Sequence, residues 1–235
     1  MTRVVISVGG SVLIPNLEQN RLKAWADALI NLTKAGIQVF AVVGGGGEAR
    51  RYINVCRDIE LDEATSDEIG IKITRINAML LIGALKDYAY PCAAESYSEA
   101  KQFALSGKIV VMGGVTPGQT TDAVSAVLAE ETGASMMVNM TAVDGIYSAD
   151  PKKDPSAKKY DVLTPQGLID LIMKEKMNAG SNMVIDLVAA KITERSGIPL
   201  VVIDGRNPAL ISDALVGGKF SGTVVGEKIP KFPIV

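Results

Sequence analysis

The stretch Val39-Phe40-Ala41-Val42-Val43-Gly44-Gly45-Gly46-Gly47-Glu48-Ala49-Arg50 decides the fold. A short apolar run rich in valine reads as a buried strand, and Glu48 and Ala49 open a helical pattern near Gly47. Between them stand four glycines in succession. Such a run is costly in chain entropy unless the backbone must approach something closely, and at a strand-to-helix connection it presents N–H groups to an anion. Arg50 or Arg51 stands in the first helical turn beside such an anion, and Arg51 reads more simply as a solvated charge.

Upstream, residues 4–7 form a second apolar strand, and residues 22–35 follow at helical spacing. Strand, helix, strand in this order is the signature of a parallel sheet. Leu22, Trp25, Leu29 and Leu32 recur at three and four residues, which places them on one buried face. Residues 62–88 predict a long helix with an apolar stripe of Ile73, Ile76, Met79, Leu80 and Leu85. Further strands are expected at 109–112, 136–140 and 200–203, with helices near 122–131 and 186–196. With 235 residues and 48% apolar content, the chain reads as one compact α/β unit. The proline-punctuated segment 148–165 is the expected mobile loop or lobe boundary. Ligands of open α/β sheets bind where loops leave the carboxyl ends of the strands.

Composition narrows the chemistry. Lys plus Arg number 24 against 26 Asp plus Glu, a net charge of −2, and neither sign dominates a long stretch. A general nucleic-acid or membrane-surface binder is not expected. No apolar run approaches the roughly 18 residues of a membrane span. Cys56 and Cys92 stand alone without metal-type spacing, which suits a reducing cytoplasm. The chain has no histidine. That removes the usual base near neutral pH and every Ser-His or Cys-His arrangement. Phosphoryl transfer onto a phosphate or carboxylate survives, because the attacking oxygen is already anionic at pH 7.

Four loops after predicted strands suit a polyphosphate. Gly9-Gly10-Ser11 combines a close backbone approach with a hydroxyl donor, and Gly44 to Gly47 has been described. Gly113-Gly114-Val115-Thr116-Pro117-Gly118-Gln119-Thr120-Thr121-Asp122 carries more hydrogen-bonding groups than a helix cap needs; Asp122 either caps the next helix or organises cations around a transferring phosphoryl group. Thr141-Ala142-Val143-Asp144-Gly145-Ile146-Tyr147-Ser148-Ala149-Asp150-Pro151 places a tyrosine where it could border a base. No G-x-x-x-x-G-K-[ST] occurs, and none of the protein-kinase signatures. No residue set is expected to hold a metal through the protein alone.

The motifs Val8-Gly9-Gly10-Ser11, the glycine run through Ala49-Arg50, Asp67, Gly118 to Asp122, and Val143-Asp144-Gly145-Ile146-Tyr147 leading to Ala149-Asp150-Pro151 resemble those of the amino acid kinase superfamily. Within it they resemble the UMP kinases of archaeal type, and the correspondence runs end to end. The resemblance implies a three-layer αβα sandwich around a mostly parallel sheet of about eight strands. It implies an acceptor half over residues 1–135, an ATP half over 136–235, and a homohexamer built as a trimer of dimers. ATP with Mg²⁺ would phosphorylate UMP to UDP, reversibly, on the way to CTP. Gly45 is then a UMP contact through its amide and Asp67 the acceptor for ribose hydroxyls. Val115, Thr116, Pro117, Gly118, Gln119, Thr120 and Thr121 form a uridylate clamp. Gly46 and Arg50 meet the ATP phosphates, and Thr141, Tyr147 and Asp150 the adenosine side. Gly9, Gly10 and Ser11 line the transfer region, with Asp122, Arg50 and Ser11 as the catalytic set.

Two positions depart from that pattern. Many relatives carry a lysine two residues before the first glycine pair, where this chain has Ser7. Bacterial UMP kinases carry one before Val-Asp-Gly, where this chain has Ala142. Mg²⁺, backbone N–H groups, Arg50, Lys152 or Lys153 must meet the charge instead. Other acceptors of the superfamily (acetylglutamate, carbamate, glutamate, isopentenyl phosphate) fit less well: the last needs a histidine, and the carboxylates have no use for Asp67. An oxyanion-storing relative is the non-catalytic alternative.

Overall fold

The computed structural model describes residues 1–16, 19–151, 153–176 and 184–235. In chain order the elements are β1 (Thr2–Val8), α1 (Gly10–Leu13), α2 (Gln19–Lys34), β2 (Ile37–Val43), α3 (Gly46–Asp58) and α4 (Glu63–Leu85), which runs into a 3₁₀ turn at Lys86–Tyr88. Next come α5 (Tyr97–Ala104), β3 (Val110–Met112), α6 (Thr121–Thr132), β4 (Met136–Thr141), β5 (Ile146–Tyr147), β6 (Lys159–Tyr160) and β7 (Val162–Leu163). The chain finishes with α7 (Pro165–Lys176), α8 (Leu187–Ser196), β8 (Leu200–Asp204), α9 (Ala209–Leu215) and β9 (Thr223–Val225).

The central sheet has the order β3-β2-β1-β4-β8-β9-β7. Its pairings are parallel except β8 with β9. β1 is buried on both faces, and its alternation divides the core. Val4, Ile6 and Val8 pack with Trp25, Leu29 and Leu32 of α2, Ala78, Leu81 and Leu85 of α4, and Ile211 of α9. Val5 packs on the opposite face with Val124 and Leu128 of α6, Leu168 and Ile169 of α7, and Ala189 of α8. Two apolar layers on one sheet make the three-layer αβα sandwich. The Trp25 indole N–H, fully buried, donates to Val12 O at 3.2 Å.

The central sheet holds seven strands among the described residues, in keeping with the expected mostly parallel sheet of about eight, and β5 and β6 pair antiparallel with each other as a separate ribbon. Within segment 148–165 the short strands β6 and β7 lie at the far end, and Ser148 N–H donates to Lys158 O at 2.9 Å. α5, α7 and α9 lie outside the sequence-based expectation. The stripe expected on α4 splits. Ile73 and Leu85 are buried, but Ile76, Met79 and Leu80 are 52%, 65% and 41% exposed. The inward face of α4 instead carries Ser66, Gly70, Thr74, Asn77, Ala78 and Leu81. α4 is therefore apolar on its outer side and partly polar on its inner side, which periodicity alone could not orient. Among the described residues no helix is long and apolar enough to cross a membrane.

β1 leads across to β2 on one side, while β4 lies on the other. This is the topological switch point at which open α/β sheets bind ligands. Gly44 N–H donates to Val8 O at 2.9 Å and Gly9 N–H to Met140 O at 3.1 Å, so the exits of β1, β2 and β4 are tied together there.

Thr223, fully buried in β9, accepts from Ile146 N–H at 2.8 Å and donates to Tyr160 O at 2.5 Å, fastening the ribbon to the sheet. Thr223→Val keeps the shape but strands a buried N–H. It should lower unfolding free energy by about 1 to 3 kcal/mol in urea denaturation without changing the slope.

Candidate active site

A cavity of about 340 Å³ opens at these strand exits. Gly9, Gly10 and Ser11 border it with Gly44, Gly45, Gly46, Ala49 and Arg50, then Asp67, Gly70, Ile71 and Thr74 of α4, and Gly114, Thr116, Gln119, Thr120 and Thr121. A wider groove of about 860 Å³ between α2 and the end of α4 touches none of the glycine loops. The smaller cavity is where the chemistry converges. A Cβ on Gly10 would stand 2.2 Å from Gly46 N and 2.5 Å from Gly44 O. Gly46 has φ +65°, and a Cβ there would stand 2.7 Å from Gly10 C. Only two glycine backbones in contact allow this approach.

One face of α4 registers the surrounding loops. Asp67 Oδ2 accepts from Gly118 N–H at 2.7 Å. Thr74 Oγ1 accepts from Gly114 N–H at 2.7 Å and donates to Ile71 O at 2.6 Å. Asn77 Nδ2 donates to Gly44 O at 2.9 Å and Gly45 O at 3.3 Å. Positions 67, 74 and 77 share a face at helical spacing. Two loops, Gly113 to Thr120 at two points and the Gly44–Gly45 stretch, thereby take their positions from one rigid element.

Beside the cavity stands a carboxylate pair. Ser7 Oγ donates to Asp122 Oδ1 at 2.7 Å. Thr120 is the N-cap of α6, accepting from Ala123 N–H at 3.2 Å, so Asp122 is not the cap. The Thr120 hydroxyl also donates to Asp186, whose other oxygen caps α8 through Val188 and Ala189 N–H at 2.7 and 3.0 Å. Burial is the largest influence on Asp122 and pushes its pKa up to about 6; the Ser7 bond opposes this, and the nearby Asp186 charge adds to it. Asp122 is only half-buried as a residue, so solvent tempers the shift.

The loop after β4 forms its own group. Tyr147 Oη donates to Asp144 Oδ1 at 2.9 Å, and Lys159 Nζ lies 3.5 Å from Asp144 Oδ2. Burial raises the Asp144 pKa, but the Tyr147 hydroxyl, its own backbone N–H and Lys159 together outweigh it and leave a net lowering. The Asp144 bond holds the Tyr147 phenol above its ordinary range.

The cavity thus gathers Gly9, Gly10, Ser11, Gly45, Gly46, Arg50, Asp67, Thr116, Gln119, Thr120 and Thr121. Val115, Pro117, Gly118 and Asp122 adjoin it in chain, while Tyr147 belongs to the separate group after β4, and Thr141, which ends β4, and Asp150 do not line the cavity. Arg50 is exposed at the cavity edge, and Arg51 is spent on Glu48 at 2.9 Å. Lys152 lies outside the described residues. Sequence reading missed Thr74, Asn77 and Asp186. The two helical residues looked like ordinary polar positions, and Asp186 only marked the start of an expected helix; only their spatial neighbours give them meaning.

The profile described as the amino acid kinase family matches residues 2–204. A protein named uridylate kinase from Methanocorpusculum labreanum is 80% identical over 235 residues, the full length of both chains. Another so named, from Methanoculleus marisnigri, is 56% identical over 97% of each chain. The crystal structure of uridylate kinase from Archaeoglobus fulgidus superposes with a TM-score of 0.85 at 44% identity, over 96% of this chain and 100% of that one.

Two outcomes are expected. A carboxyl with a raised folded-state pKa contributes stability below its unfolded pKa and loses it as pH rises through the folded value. Asp122→Asn should therefore melt roughly 3 °C above the parent at pH 8. The gap should close as pH falls from about 6 toward 3.8. Gly10→Ala should lower the melting temperature and weaken phosphate binding together, since its methyl enters the space of Gly46; calorimetry with and without nucleotide reads both.

Proposed function

The chain belongs to the amino acid kinase family, and from that premise we propose that it is a UMP kinase, transferring the γ-phosphoryl group of ATP to UMP and giving UDP and ADP. The reaction is reversible and supplies pyrimidine nucleotides on the way to CTP. The observation that carries this reading is the cavity at the switch point, where two glycine backbones meet beside one carboxylate, Asp67, and one guanidinium, Arg50. The named relative at 80% identity over the whole chain supports the same acceptor.

A UMP phosphate oxygen attacks the γ-phosphorus of ATP in line, forming one P–O bond as the bond to ADP breaks. The attacking oxygen is already anionic, so a chain without histidine needs no base. Gly45 N–H contacts the UMP phosphate, and Gly9, Gly10, Ser11, Gly46 and Arg50 face the transferring group. Asp67 accepts the ribose hydroxyls with the oxygen that Gly118 leaves open, while the loop from Val115 to Thr121 closes on the uridylate. Thr141, Tyr147 and Asp150 border the adenosine in a C-terminal half from residue 136, and residues 1–135 form the acceptor half.

Magnesium is bound through one or two carboxylates plus substrate phosphates. Asp122 and Asp186 fit that donor set, for the nearby Asp186 makes the Asp122 charge more costly, and no group of three or more metal-type side chains occurs among the described residues. They would hold a cation that arrives with ATP and supplies neutralisation of phosphate charge. The exposed Tyr52, Val55, Ile59, Leu61, Ile76, Met79 and Leu80 on and after α3 and on α4 support burial against further copies, in a homohexamer of the cytoplasm.

Incubation with Mg·ATP and each nucleoside monophosphate should give ADP only with UMP, by coupled assay. ADP from no acceptor, together with oxyanion uptake, would instead indicate storage. In the same assay Asp67→Asn should raise KM for UMP about 10-fold or more, leaving KM for ATP unchanged.

A further inference from the structure

We infer that Asn77 is a positioning residue for phosphoryl transfer, holding the Gly44–Gly45 and Gly45–Gly46 peptides so that their N–H groups serve the phosphate. The inference rests on the phosphoryl-transfer reading of the cavity. Four consecutive glycines carry no side chain with which to fix their own conformation, and each can adopt either sign of φ. Something outside the run must choose. On one side the Gly10 backbone lies so close that a Cβ there would meet Gly46 N at 2.2 Å. On the other, the Asn77 amide, 5% exposed, donates to two successive carbonyls, Gly44 O at 2.9 Å and Gly45 O at 3.3 Å.

In a trans peptide the C=O and the following N–H point in opposite directions. Carbonyls of Gly44 and Gly45 turned toward Asn77 therefore turn the N–H groups of Gly45 and Gly46 away from it. Both glycines border the cavity, and Asn77 does not. Gly45 O also accepts from Ala49 N–H at 3.3 Å, so the same bond fixes the first turn of α3 that carries Arg50. Without the amide these peptides can flip, and a flipped peptide offers phosphate a carbonyl oxygen in place of a donor.

The test compares ligands that differ only in phosphate. Asn77→Leu keeps the branching at Cγ and removes both donations, and Asn77→Ser serves if the leucine variant does not fold. With either, kcat at saturating UMP and Mg·ATP should fall about 100-fold, the scale of losing an oriented anion donor. By titration calorimetry, UMP affinity should fall about 10-fold while uridine affinity stays within about a factor of two. Equal losses for UMP and uridine, or no loss for either, would overturn the role. A parent protein that forms no UDP and binds UMP no better than uridine would overturn the kinase reading and this role with it. A parent active on UMP whose variants lose both ligands alike overturns the role alone.

Discussion

Everything at the candidate site depends on the contact between two bare backbones, Gly10 on one loop and Gly44 with Gly46 on the other. A methyl group on Gly10 would occupy the place of the facing main chain, so the exits of β1 and β2 close to this distance only because both lack side chains. The parallel pairing of β1 with β2 from Thr2 and Ile37 through Val8 and Val43 brings the two exits to the same height. The fold thus delivers two sets of N–H groups to one point, and the cavity is the space left between them and α4.

α4 is the second organising element. Its inner face trades apolar contact for Asp67 and Thr74, both fastened to the loop before α6, and Asn77, fastened to the glycine run before α3. The cost is apolar surface displaced outward to Ile76, Met79 and Leu80. Such a compromise suits a helix that serves as a template for irregular backbone, since a loop of glycines cannot order itself and a rigid helix can impose order on it.

Charge is arranged by subtraction as much as by addition. Ser7 and Ala142 bring no charge to the site, and the Ser7 hydroxyl grips Asp122. Asp122 is left partly desolvated near a second carboxylate, Asp186, with its pKa pushed up to about 6. Buried like charges lower stability, and chains keep them where a bound cation or phosphate-borne metal gives them a use. Asp204 is the contrast: the Arg206 guanidinium, bonded to it at 2.6 to 3.0 Å, overcomes burial and holds it below the usual carboxylate range.

Strand and helix alternation, the buried valines of β1 and β2 and the anion-suited glycine runs were legible in the sequence, because period and composition are local properties. The absence of histidine excluded most base-dependent chemistry on composition alone. Local pattern could not say which side of α4 faces inward, since Ile73 and Ile76 look alike until neighbouring loops select the side bearing Thr74 and Asn77. Nor could it join Ser7 to Asp122, 115 positions apart, or bring Asp186 to Thr120, 66 positions apart. The sequence by itself determined the parallel α/β frame and the places where backbone could meet phosphate. Only the tertiary structure decided which side chains hold that backbone in place, because those bonds join residues that share space and not sequence.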